Sequence, residues 1–91
     1  GRYMGEDNKK IFNEKAADQY QIGDLVEFIG GMNQYVNYDV GCGIIVNKYV
    51  GLDNSSTAFR IWFDISYNGV IYKRVGVNRI IKLIASNQCE K

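Results

Sequence analysis

The sequence predicts an all-β fold: five short strands with a short helical or extended arm ahead of them. Three observations point there. From Phe59 to Ser66, apolar Phe59, Ile61, Phe63 and Ile65 alternate with Arg60, Trp62, Asp64 and Ser66, the two-residue period of a strand. Asn68-Gly69 follows directly, a pair whose easy access to positive φ marks a hairpin turn. Elsewhere, apolar runs of strand length are punctuated by glycine, and the chain contains no proline.

Taken in order, residues 1–20 read as the arm. About 8–19 suits a short helix, with Asp7 or Asn8 as cap and Ile11, Phe12, Lys15 and Ala16 near one face. So short a helix is marginal alone, so Ile11 and Phe12 are expected to anchor it to the body. From Gln21 the pattern changes. Gly23-Asp24 turns the chain into a strand Leu25–Ile29, with Val26 and Phe28 on one face and Glu27 on the other. Residues 31–39 read as a long loop holding Tyr35 and Tyr38. The second strand, Val40 to Val50, is read with Cys42, Ile44, Val46 and Val50 on one face and Asn47 and Tyr49 on the other. On that reading Cys42 is a small buried apolar residue. Gly41 and Gly43 imply a bulge, sharp curvature or a close backbone approach.

The polar stretch GLDNSS is a loop, and the alternating strand follows it. A fourth strand runs from Val70 to Val77, and its register has two candidates. A two-residue turn pairs Ser66 with Ile71 and sets Phe63 against Arg74. A three-residue turn pairs Ser66 with Val70, Ile65 with Ile71, Ile61 with Val75 and Phe59 with Val77, keeping one face nearly all apolar. The second is the expected register. A single helical turn, Val77 to Ile80, then leads to a last strand, Ile81 to Ala85, and residues 86–91 form a polar tail.

Composition bounds the function. Ninety-one residues suit one small domain, and 46% hydrophobic with 23% charged residues is the balance of a folded chain. No apolar run reaches the 18 or more residues of a membrane span and no secretory apolar region is seen, so a cytoplasmic, reducing setting is expected, with Cys42 and Cys89 as free thiols. Absence of histidine removes Ser-His and Cys-His catalytic pairs, and two cysteines cannot complete a four-ligand zinc site. GGMNQ and GCG match no phosphate-binding loop, and Asp24, Asp39, Asp53 and Asp64 are too scattered for a calcium loop or a carboxylate pair. A non-enzymatic protein with no metal or cofactor is expected. Net charge is +1, yet residues 60–91 alone carry +4, from Arg60, Lys73, Arg74, Arg79, Lys82 and Lys91 against Asp64 and Glu90.

The segments GDLVEF, VGCGIIV, RIWFDISYNGVIYKRV and VNRIIKLI, over about residues 21–85, resemble SH3-like barrels of the KOW/Tudor type. They are also similar to short single-domain proteins of tailed bacteriophages. The resemblance implies a five-stranded SH3-like barrel serving as a small protein-binding module, an accessory protein that engages a host or phage protein in the host cytoplasm or virion. The first loop lacks the strongly basic character of KOW domains.

Three surfaces compete. In the expected register Trp62 lies across from Arg74 and Asp64 across from Tyr72, so Trp62, Tyr72 and Arg74 make a partner-binding patch. Its purely structural counterpart has Ile11 and Phe12 of the arm covering that face. Tyr35 and Tyr38 fall where such domains place ligand-contacting aromatics, and with Tyr49 or Tyr67 they make a second partner-binding set, unless they fold back over the barrel end. Arg60, Lys73, Arg79 and Lys82 form the nucleic-acid alternative, against which stands scattered solubilising charge. A further alternative is a structural subunit of a virion or homo-oligomer joined through strand edges.

Overall fold

A computed structural model describes residues 11, 13–32, 38–55 and 57–87. Five strands form one antiparallel sheet: β1 (Leu25–Met32), β2 (Tyr38–Leu52), β3 (Phe59–Tyr67), β4 (Val70–Gly76) and β5 (Ile80–Ala85). A helical turn, α1 (Glu14–Ala17), precedes them, and a 3₁₀ turn (Val77–Arg79) joins β4 to β5. The all-β expectation holds. Strand order is β4-β3-β2-β1-β5, a meander whose last strand returns beside the first. No ladder closes the sheet between β4 and β5. Side chains reach across the inner face: the Tyr72 ring of β4 meets Phe28 of β1 edge-on, centroids 5.6 Å apart. Arg79 donates from Nε to Ile29 O (2.9 Å) and from Nη2 to Gly30 O (2.7 Å).

The core lies on the inner face, where Val26, Phe28, Ile45, Ile61, Phe63, Ile65, Val75 and Ile80 pack together. Ala17 of α1 completes it, and Ile11 and Tyr20 pack against it from the arm. Among the described residues of the expected helix only Glu14–Ala17 are α-helical, and Asp18 and Gln19 turn out of it; residues 8–10 and Phe12 lie outside the described part. The reason for the short helix is a competing edge. Beyond the Trp62–Gly76 pair β4 no longer accompanies β3. Ile11 bridges to Phe59 in parallel fashion, and the Asn13 carboxamide pairs with the Ile61 peptide, accepting its N–H (2.8 Å) and donating to its carbonyl (3.1 Å). A side-chain amide thus extends the sheet for one residue, satisfying backbone groups that strand pairing would otherwise leave open.

Two expectations are corrected. In β2 the inward positions are Gly43 and Ile45, while Cys42, a free thiol, and Ile44 are exposed. A bulge between Ile45 and Asn47 then exchanges the faces, so Lys48 and Val50 pair with Phe63 and Ile61. A single period read through that bulge put Cys42 on the wrong side. The glycines are there for close approach. A Cβ at Gly41 would sit 2.5 Å from the Tyr67 ring, and one at Gly43 would sit 2.6 Å from Ser66 O.

The hairpin takes the two-residue turn, not the three-residue one. Asn68 (φ 54°) and Gly69 (φ 82°) both have positive φ, and Tyr67 pairs with Val70, Ser66 with Ile71 and Ile65 with Tyr72. The polar mismatch that argues against this register is removed by an extra residue in β4. Pairing resumes at Phe63–Val75 and Trp62–Gly76, past a bulge where Arg74 has φ 60°. Tyr72 consequently shares the inner face with Ile65. It is not a neighbour of Asp64 on the outer one.

Candidate functional site

The outer face of β3 and β4 carries a cleft of about 470 Å³, lined by Asp53, Asn54 and Ser55 of the β2–β3 loop, Arg60 and Trp62 of β3, Arg74 and Gly76 of β4, and Asn78 and Arg79 of the 3₁₀ turn. Strand alternation aims Arg60 and Trp62 outward, and the bulge aims Arg74 back over Trp62. The guanidinium carbon lies 4.1 Å from the centroid of the indole ring. Trp62 is 6% exposed, so it forms the floor and presents no ring face for insertion into a partner. Its indole N–H donates to Leu52 O (3.2 Å). Gly51 and Gly76 make room: a Cβ at Gly51 would stand 3.2 Å from the indole Cδ1, and one at Gly76 2.8 Å from Asn78 Oδ1.

Asp64, 5% exposed, is set beside this floor on the same strand face. Its Oδ1 accepts the Arg74 backbone N–H (3.0 Å) and the Tyr49 hydroxyl (3.0 Å), and its Oδ2 accepts Asn47 Nδ2 (3.0 Å). Burial is the largest single influence on its pKa and pushes it up. The three hydrogen bonds, with the charge of Lys73, outweigh it together and hold the carboxyl below its usual 3.8. Tyr49 moves the other way: burial first, then its bond to the Asp64 carboxylate, raise the phenol above 10.0. Asp53, at the mouth, accepts Ser55 N–H and Oγ–H and the Thr57 N–H. Led by the Ser55 bond, these contacts lower its pKa below 3.8.

The bulge gives Arg74 an uncommon backbone. A left-handed φ costs a non-glycine residue about 1–2 kcal/mol, and here the Asp64 carboxylate holds it through the Arg74 N–H. In urea unfolding, Arg74→Gly is therefore expected to be about 1 kcal/mol more stable than Arg74→Ala, since both lose the side chain and only alanine keeps the strain. Equal stabilities would show that the backbone strain contributes nothing.

No protein-family model, curated protein or solved structure matches this chain.

The structure divides the candidate residues differently from the sequence reading. It joins Trp62 and Arg74 of the partner-binding patch to Arg60 and Arg79 of the basic set. Lys73 and Lys82 do not line the cleft: Lys73 is exposed in the bulge, and Lys82 pairs across the sheet with Glu27. Tyr72 is lost to the inner face. Ile11 packs on the core and Phe12 lies outside the described residues; among the described residues Arg74 stacks over Trp62 and Leu52 O accepts its indole N–H. Tyr35 lies outside the described residues, as does the Tyr38 side chain, so the aromatic set is described only through Tyr49 and Tyr67, which occupy opposite faces. Asp53, Asn54, Ser55, Gly76 and Asn78 are cleft residues that sequence reasoning missed. They fall in a loop, a turn and a strand end with no local pattern to flag them. Among the described residues, no three histidine, cysteine, aspartate or glutamate side chains converge as a metal site, and no helix is long and apolar enough to cross a membrane.

Proposed function

We propose that this chain is a small, non-enzymatic protein-binding module built as an SH3-like barrel, and that it engages its partner through the outer-face cleft. The observation that carries this reading is the convergence of residues from four separate segments on one cleft of about 470 Å³, with a buried tryptophan as floor and an arginine fixed over it. That volume suits one or two side chains of a docking segment. The curl of the sheet through the Tyr72–Phe28 and Arg79–Ile29 contacts supports the barrel. The resemblance of its sequence segments to short phage proteins is the ground for the proposed accessory role toward a host or phage protein. Nucleic acid is less well served: two of the four basic candidates lie away from the cleft, and no open ring face is available there for a base to stack on.

The reading is tested by placing a photocrosslinker at Asn54 or Asn78, inside the cleft, and at Ile44, an exposed position near the opposite end of the outer face. A protein captured from both cleft positions but not from Ile44 is expected. Capture from Ile44 alone, or only nucleic acid captured from the cleft, would remove the cleft as a protein-docking site.

A further inference from the structure

We propose that the cleft is a carboxylate-accepting site, so that the segment it takes from its partner is acidic; this rests on the protein-docking reading above. The guanidinium groups of Arg74 and Arg79, on β4 and the 3₁₀ turn, line the cleft with Asp53, the one carboxylate among its lining residues. Asp53, held by Ser55 and Thr57, keeps its own charge, and the two guanidinium groups exceed it by one.

Arg74 and Arg79 are held in place by groups that leave their charge standing. Arg74 Nη2 donates to Leu52 O (3.0 Å) and Asn54 Oδ1 (3.2 Å), and Arg79 donates to the carbonyls of Ile29 and Gly30. All four acceptors are neutral. Each guanidinium has five N–H donors in a planar fork, and these contacts use only part of each fork. Stacking on Trp62 fixes the plane of Arg74 as well, so little side-chain freedom remains to be lost on binding. Fixed planar forks match the bidentate geometry of carboxylates.

The remaining lining decides between carriers of negative charge. A nucleic-acid strand wants a continuous basic track and an open ring to stack on. Here neither Lys73 nor Lys82 lines the cleft, Lys82 standing beside Glu27, and the floor ring already carries Arg74. An acidic peptide needs neither. It requires carboxylates spaced to meet Arg74 and Arg79, with Asn54 and Asn78 as neutral neighbours for its backbone.

The chain contains one tryptophan, and it is the cleft floor, so its fluorescence reports binding directly. The full chain is titrated with a peptide of four consecutive glutamates, its glutamine counterpart, a single-stranded oligonucleotide and inorganic phosphate. Saturable binding of the glutamate peptide is expected, with the glutamine peptide at least about tenfold weaker. Arg74→Gln should weaken the glutamate peptide by about tenfold, while Lys82→Gln should leave it within about twofold because Lys82 does not line the cleft. Equal binding of the two peptides overturns the proposal, as does tighter binding of the oligonucleotide or no effect of Arg74→Gln. Binding of phosphate to the same strength as the peptide also overturns it, since a general anion site would then suffice. If the cleft crosslinks a protein but the glutamate peptide does not bind, the acidic class falls and the docking reading stands. If the cleft crosslinks nothing, the docking reading falls.

Discussion

Gly43→Ala is expected to destabilise the protein by about 3 kcal/mol, at the upper end of ordinary overpacking. Gly43 pairs with Val26 on β1 and faces the core. A methyl group there would lie 2.6 Å from Ser66 O, 2.7 Å from Ile65 Cγ2 and 3.0 Å from Phe28 Cε1. The first of these is backbone on the adjacent strand, which cannot rotate away as a flexible side chain can. Relief requires β2 and β3 to part where their ladder ends at Ile44–Ser66. Gly69→Ala provides the contrast. No atom lies within 4 Å of its Cβ position, but φ is 82°, so its cost is conformational and about 1 kcal/mol. Chemical denaturation of both variants checks the pair. A loss below 1 kcal/mol for Gly43→Ala would show that the strands yield easily there.

The second large effect is expected at Asp64. Asp64→Ala should cost about 3 kcal/mol, because it strands the Arg74 N–H beneath the cleft and releases Tyr49 and Asn47. Asp64→Asn keeps an acceptor and should cost less than half as much. The pH dependence has a definite sign. The folded carboxyl titrates below its unfolded value of 3.8, so its contribution is complete above that value and is lost as pH falls through the lower, folded one. Tyr49 is shifted upward, so its contribution is complete below 10.0 and is lost as pH rises through its raised folded value. Stability should therefore fall at both extremes, and Asp64→Asn should flatten the acid side. An acid limb unchanged in Asp64→Asn would assign it to other carboxylates. Because Asp64 also holds the backbone of Arg74, Asp64→Ala should loosen the cleft; the expected sign is a redder, more exposed Trp62 emission.

The hairpin shows why some features were legible and others were not. Alternation from Phe59 to Ser66 is local and strong, and the strand appears where it is read. The turn residues Asn68-Gly69 also carry their conformation with them, since both tolerate positive φ. Register was misjudged because the apolar pattern was carried straight through β4. The chain instead inserts one residue at Arg74, a position with no glycine or other local sign of a bulge. The same failure occurs in β2, where the face exchange after Ile45 falls in a run of apolar residues that look alike on either side.

For the site, the expected hairpin register sets Arg74 across from Trp62, a pairing the structure reaches through a bulge instead, and the basic C-terminal third marks Arg60 and Arg79 together with Lys73 and Lys82. Local chemistry therefore determined the strand-rich class, the hairpin turn, the closing helical turn and the distinctive side chains. Tertiary structure alone decided which of those side chains meet. Two bulges and the return of β5 to β1 turned Tyr72 inward, Cys42 outward, and Arg74 over Trp62 beside Arg60 and Arg79. The physical reason is that a single extra residue exchanges the faces of everything beyond it, and the strain that admits it is met by a partner ten residues away, Asp64.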